Sequence, residues 1–97
     1  MKVMISQPMR GKTEEQIRKE REEVVKELEG EGWEVLDTVF TDEAPEGSNE
    51  AIYFLSKSIE ALSKADAVLF LAGWEGARGC RIEYQVAQEY GKFIKCR

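Results

Sequence analysis

The stretch AVLFLA, residues 67–72, is an uninterrupted apolar run. A strand of this composition needs cover on both faces, which is typical of an interior strand in a parallel sheet. The segment before it has apolar residues at helical spacing, namely Ile52, Leu55, Ile59 and Leu62. The segment after it, residues 73–91, has the character of a loop passing into a helix. A strand between two helices indicates an α/β fold.

Three further segments are expected to be strands: residues 2–5 (KVMI), 33–40 (WEVLDTVF) and 93–96 (FIKC). With helices between them, the order is β-α-β-α-β-α-β. Right-handed crossovers leave few topologies for such a chain. We therefore predict a three-layer flavodoxin/Rossmann-like α/β domain over residues 1–97, with a four-stranded parallel sheet in the order 2-1-3-4.

The first helix has clear signals at both ends. Thr13, with Gln16 three residues later, forms the pattern of a capping box. Gly30 or Gly32 is expected to end the helix. Its apolar residues recur at helical spacing while its other face is strongly charged, which indicates one buried and one solvated face.

Composition excludes several classes of protein. The net charge is −5, and no basic stripe is available for phosphate contacts, so we expect no nucleic-acid polymer as partner. No apolar run approaches the ~20 residues of a membrane span, and the N-terminus lacks the apolar core of a signal peptide. We therefore expect no membrane partner and a cytoplasmic location.

The content of cysteine and histidine limits the chemistry. The chain has no histidine and two cysteines, Cys80 and Cys96, which make a poor zinc site and too small a set for a disulfide framework. We predict no metal site and no cofactor. A general acid or base must then be a carboxylate, tyrosine, lysine or cysteine, because Ser-His and Cys-His systems are excluded.

Two loops are expected to share one crevice. In the predicted sheet, the winding direction reverses between the first and third strands, and ligands bind at that point beyond the carboxyl ends of the strands. The loop SQPMRGK, residues 6–12, would lie beside the loop at residues 73–79. Arg10 and the N–H groups of the following helix start suit a phosphate or carboxylate. An ordinary turn between strand and helix explains the same pattern about as well.

Glu83 is the sharpest candidate for catalysis. It follows Gly79 by about one turn, so it could be a structural acid that the helix dipole stabilises. Alternatively, the loop glycines clear room for a ligand, Trp74 offers a flat wall, and Glu83 stays ionised as a nucleophile or base. Glu75 could be a second carboxylate, although we favour a solvated side chain. Cys80 without a histidine is a weak candidate nucleophile.

The segments ISQPMRGK and ADAVLFLAGWEGARGCRIEYQVAQEYGK resemble an uncharacterised bacterial and phage domain family. That family in turn resembles the nucleoside 2-deoxyribosyltransferase superfamily, which includes the 2′-deoxynucleoside 5′-phosphate N-hydrolases. The resemblance implies the α/β fold above and a nucleophilic glutamate, which would be Glu83. It also implies that Ser6, Arg10 and Gly11 hold a 5′-phosphate. At Ser58 and Ala77 this chain lacks acids that superfamily members carry.

Together these patterns predict a nucleoside- or nucleotide-processing enzyme that cleaves or transfers at the N-glycosidic bond through Glu83. The alternative is a non-catalytic module that binds a nucleotide or nucleotide signal in the same pocket, which the changes at Ser58 and Ala77 favour. A small domain with an apolar-leaning second helix is also expected to form a homodimer or higher homo-oligomer. The expected substrate-binding residues are Ser6, Gln7, Pro8, Met9, Arg10, Gly11, Gly73, Trp74 and Gly79.

Overall fold

A parallel sheet forms the centre of the protein. The computed structural model describes residues 1–36 and 43–97. Its strands are β1 (Lys2–Ser6), β2 (Glu34–Leu36), β3 (Ala67–Phe70) and β4 (Phe93–Cys96). They are paired in the order β2-β1-β3-β4, and every pair is parallel, which confirms the predicted order 2-1-3-4. Of the second predicted strand, residues 37–40 lie outside the described residues.

Three α-helices connect the strands in the described ranges, α1 (Glu14–Gly30), α2 (Glu50–Lys64) and α3 (Arg78–Glu89). The capping box at the start of α1 is confirmed. The Thr13 hydroxyl oxygen accepts from the Gln16 N–H at 3.1 Å, and the Thr13 N–H donates to Gln16 Oε1 at 2.9 Å. In these parts of the chain, no helix has the length and apolar character needed to cross a membrane.

Side chains of β1 alternate between two cores, as the period of two along a strand requires. Val3 and Ile5 pack in the core that includes Val24 and Leu28 of α1. Met4 packs on the opposite face of the sheet. Ser6 continues this alternation and also faces α3. The core around Met4 is completed by residues of α2 and its C-cap, of β3 and of α3, among them Leu62, Ala65, Val68, Phe70, Cys80 and Ala87.

The interior position predicted for the third strand is confirmed. All four residues of β3 are buried, since cores cover both of its faces. The strand ends at Phe70, two residues before the end of the apolar run, but Leu71 stays buried and its N–H donates to the Ser6 carbonyl at 3.0 Å. The carboxyl ends of β1 and β3 therefore lie side by side, where the two loops begin.

Candidate active site

A cavity of about 400 Å³ opens at the carboxyl edge of the sheet. Its size lies within the ~300–1,000 Å³ that is usual for small-molecule sites. Three parts of the chain form its wall: the end of β1 with the loop after it, residues 51–58 of α2, and residues 77–83 at the start of α3. The lining residues are Ile5, Gln7, Pro8, Met9, Ala51, Phe54, Leu55, Ser58, Ala77, Gly79, Cys80 and Glu83.

Glu83 lies in the cavity wall with only 6% of its surface exposed. The Ser6 hydroxyl donates to its carboxylate, with 3.3 Å from Oγ to Oε1 and 3.5 Å to Oε2. Ser6 is itself buried and is not among the residues that line the cavity. The structure thus brings together these two predicted site residues, which are separated by 77 positions in the chain.

The electrostatic surroundings of Glu83 differ from the sequence expectation. Helix α3 begins at Arg78 and has no acid in its first turn, so Glu83 stands in the second turn, beyond the strongest influence of the helix dipole. Burial raises the pKa of Glu83 from 4.5 to about 7, and the hydrogen bond from Ser6 opposes this rise. Because burial disfavours the charged form, Glu83 is a carboxylate poised to change its charge near neutral pH.

Gln7 also reaches the cavity, but its side-chain amide is engaged with α1. Its Nε2 donates to the Ile17 carbonyl at 2.9 Å and to Glu20 Oε1 at 3.3 Å. Its Oε1 accepts from the buried Arg21 at 3.2 Å. These bonds tie the loop after β1 to the helix that follows, and they hold Pro8 in its place in the cavity wall.

The basic residues of the same loop lie away from the cavity lining. Arg10 and Gly11 are exposed, and neither is among the lining residues. The Lys12 ammonium pairs with Glu20, at 3.1 Å from Nζ to Oε2. The structure therefore places Arg10 and Gly11 on the loop that borders the cavity, but outside its walls.

The loop at residues 73–79 meets the loop after β1 as predicted, and its Trp74 packs against Tyr84. Gly73 adopts φ 90°, and a Cβ built on it would lie 3.8 Å from Cγ of Pro8. The Trp74 ring stacks on Tyr84, with 4.6 Å between centroids and 16° between planes, and also contacts Phe70. Neither Gly73 nor Trp74 lines the cavity, whereas Gly79 does. Glu75 is exposed, which agrees with the expectation of a solvated side chain.

Helix α2 supplies a wall of the cavity, of which the sequence analysis had singled out Ser58 but none of the apolar residues. Ala51, Phe54, Leu55 and Ser58 all line it. A signal was present in the sequence, because the apolar residues of α2 exceed the single stripe needed to cover the sheet. Among the residues of α2, only Leu62 is fully buried, while Ile59 and Ala61 pack against the core around Met4. Phe54 and Leu55 instead line the cavity.

The titratable side chains that line the cavity are the Glu83 carboxyl and the Cys80 thiol, and burial raises the pKa of both. Glu83 can act as a nucleophile when ionised and as an acid when protonated. Over residues 1–36 and 43–97, no group of three or more cysteine, aspartate or glutamate side chains is arranged to hold a metal ion.

These features define a small parallel α/β protein with a ligand-sized cavity at the switch point of its sheet and the Glu83 carboxylate in the cavity wall. Residues 1–96 match the family model described as Domain of unknown function (DUF4406), so the chain belongs to that family. Searches of curated proteins and of solved structures give no match.

Proposed function

We propose that this protein processes nucleosides or nucleotides at the N-glycosidic bond, with Glu83 as the nucleophile. The observation that carries the proposal is the buried Glu83 carboxylate in the wall of an apolar cavity, at the sheet edge where α/β proteins bind ligands. The sequence resemblance to the nucleoside 2-deoxyribosyltransferase superfamily adds support, because it gives the same residue this role.

In the proposed reaction, a Glu83 oxygen attacks C1′ of the ribose or deoxyribose. The C1′–N bond breaks, and the departing base takes its electron pair and is protonated from solvent. The result is a covalent glycosyl-enzyme. Water or a second base then attacks C1′ from the opposite face, loses a proton to solvent and releases the carboxylate, so that the configuration at C1′ is retained overall. A carboxylate half ionised near pH 7 supplies the nucleophile under neutral conditions.

The walls of the cavity suit a flat base and an uncharged sugar. Phe54, Leu55 and Pro8 provide apolar surface, and Glu83 is the charged residue among those that line the cavity. A 5′-phosphate would be repelled by the ionised carboxylate within the cavity. It fits only where it projects outward to the loop after β1, which carries the exposed Arg10.

Base release tests the proposal directly. The protein is incubated with deoxynucleosides, ribonucleosides and their 5′-monophosphates, and free base is followed by chromatography. We expect release by the wild type, none by Glu83→Ala, and release by Glu89→Ala, which removes an exposed acid of the same helix. Hydrolysis that survives Glu83→Ala would show that the nucleophile is assigned wrongly. Arg10→Ala should slow base release from the 5′-monophosphates and leave base release from the nucleosides unchanged.

The second candidate function is binding without turnover. Ser58 and Ala77 both line the cavity, and they stand where members of the resembled superfamily carry acids. If no base is released but nucleotides raise the melting temperature of the protein, the binding module is the better description. If no nucleoside or nucleotide shifts the melting temperature, neither ligand proposal holds.

We also infer that the protein self-associates through α2. Ile52 is 64% exposed, and Tyr53 and Phe54 are only partly covered. A domain of 97 residues buries a modest fraction of its surface alone, so a second copy on this helix adds apolar burial. Light scattering coupled to size exclusion should report a dimer or larger assembly, and a mass of 11.1 kDa would reject the inference.

A further inference from the structure

Ser6 lies behind Glu83 when the site is viewed from the cavity. It is the last residue of β1 and is 1% exposed. Its main chain is fixed at the centre of the sheet, where it aligns with Phe70 and its carbonyl accepts from the Leu71 N–H at 3.0 Å. Its hydroxyl reaches both oxygens of the Glu83 carboxylate, at 3.3 and 3.5 Å. A donor held by the sheet thus meets an acid held by a helix.

The other groups that face this carboxylate are few. On α3, Cys80 is buried one turn before Glu83, and burial raises the pKa of its thiol against a smaller lowering by a hydrogen bond with Ser6. In the loop after β1, the charge of Lys12 acts on the Cys80 thiol, while Lys12 itself pairs with Glu20. The residues that α2 contributes to the cavity carry no titratable side chain: Ala51, Phe54, Leu55 and Ser58.

We propose that Ser6 is a positioning residue, which keeps Glu83 ionised and directs its carboxylate at the cavity rather than contacting the ligand itself. Burial alone favours the neutral carboxyl group, whereas an O–H donor favours the charged one. The two oxygens are nearly equidistant from Oγ, so the one hydroxyl is shared between them. The consequence for attack on C1′ rests on the proposed function, while the effect on ionisation does not.

The ionisation of Glu83 can be measured without any ligand. Glutamate side-chain carboxyl carbons are labelled with ¹³C and titrated by NMR, and the Glu83 signal is assigned by its loss in Glu83→Gln. In the wild type this signal should titrate near pH 7. In Ser6→Ala the midpoint should rise by about one pH unit, which matches the loss of a modest charge-assisted hydrogen bond. Ser6→Thr, which keeps a hydroxyl, should restore the wild-type midpoint.

A second variant and a control keep the test decisive. Ser6→Cys is close in size to serine but donates weakly, so it should raise the midpoint even if Ser6→Ala fails to fold. Ser63→Ala removes an exposed hydroxyl that donates to the Glu60 carbonyl, and it should leave the midpoint unchanged. An unchanged or lower midpoint in folded Ser6→Ala or Ser6→Cys would overturn the proposal.

Kinetics separate this inference from the proposed function. If the protein releases base, Ser6→Ala should move the acidic limb of the pH–rate profile upward by the same amount as the NMR midpoint. It should lower kcat at neutral pH while KM stays nearly constant, because Ser6 does not line the cavity. A rise in KM at unchanged kcat would instead assign Ser6 to ligand binding. If the wild type releases no base, the function fails and the titration still decides the role of Ser6.

Discussion

Glu83→Gln should remove a pH dependence from the stability of the protein. In the folded state the pKa of Glu83 is about 7, against 4.5 for the ordinary group. Below the lower value both folded and unfolded chains are protonated. Between the two values the folded protein keeps the proton that the unfolded chain has lost, so its free energy of unfolding falls as pH rises. At about 1.36 kcal/mol per pKa unit, the full loss above pH ~7 is about 3 kcal/mol.

Urea denaturation at pH 5 and pH 8 measures this loss in the wild type and in Glu83→Gln. The free energy of unfolding of the variant, relative to the wild type, should rise by about 2–3 kcal/mol between pH 5 and pH 8. Glu27 has a pKa lowered by Arg97 and contributes a dependence of opposite sign, but both proteins carry it and it cancels in the comparison. If the free energy of unfolding changes equally in the two proteins between pH 5 and pH 8, Glu83 is already ionised at pH 5 and the reasoning is refuted.

Three further outcomes follow from the site and the fold. Base release by the wild type should rise with pH, level off above about 7 and vanish in Glu83→Gln; a profile without this rise would contradict the ionised nucleophile. Phe54→Ala should weaken nucleoside binding, measured by calorimetry, roughly tenfold, or about 1.4 kcal/mol. Phe93 is exposed at the opposite edge of the sheet, and Phe93→Ala should leave this affinity unchanged. Thr13→Ala should cost about 1 kcal/mol in urea unfolding through loss of the capping box, and an unchanged midpoint would contradict that contribution.

The loss of stability that follows from ionising a buried Glu83 has a functional meaning. A glutamine at this place would satisfy the Ser6 hydroxyl and carry no charge to bury, so stability alone does not explain an acid here. Residues that destabilise a fold commonly serve its activity. The stability measurement therefore bears on function even before a substrate is identified.

Much of the fold was predictable because it rests on short-range patterns. The short apolar run of β1, the longer apolar run of β3 and the capping box at Thr13 can each be recognised within a few residues. Right-handed crossovers then leave few arrangements, and the observed strand order is the predicted one. The meeting of the loop after β1 with the loop at residues 73–79 follows from that order, since adjacent parallel strands end at one edge.

The state of the site was decided by the tertiary structure. Sequence alone singled out Glu83, but it placed the acid in the first turn of its helix and kept it ionised there, whereas burial raises its pKa. It also predicted Trp74 as a wall of the ligand site, and only the structure shows that this ring stacks on Tyr84. The reason is that exclusion of water, and with it the charge of a carboxyl group, depends on which distant elements pack together. A contact such as that between Ser6 and Glu83, 77 positions apart, has no local pattern from which to infer it.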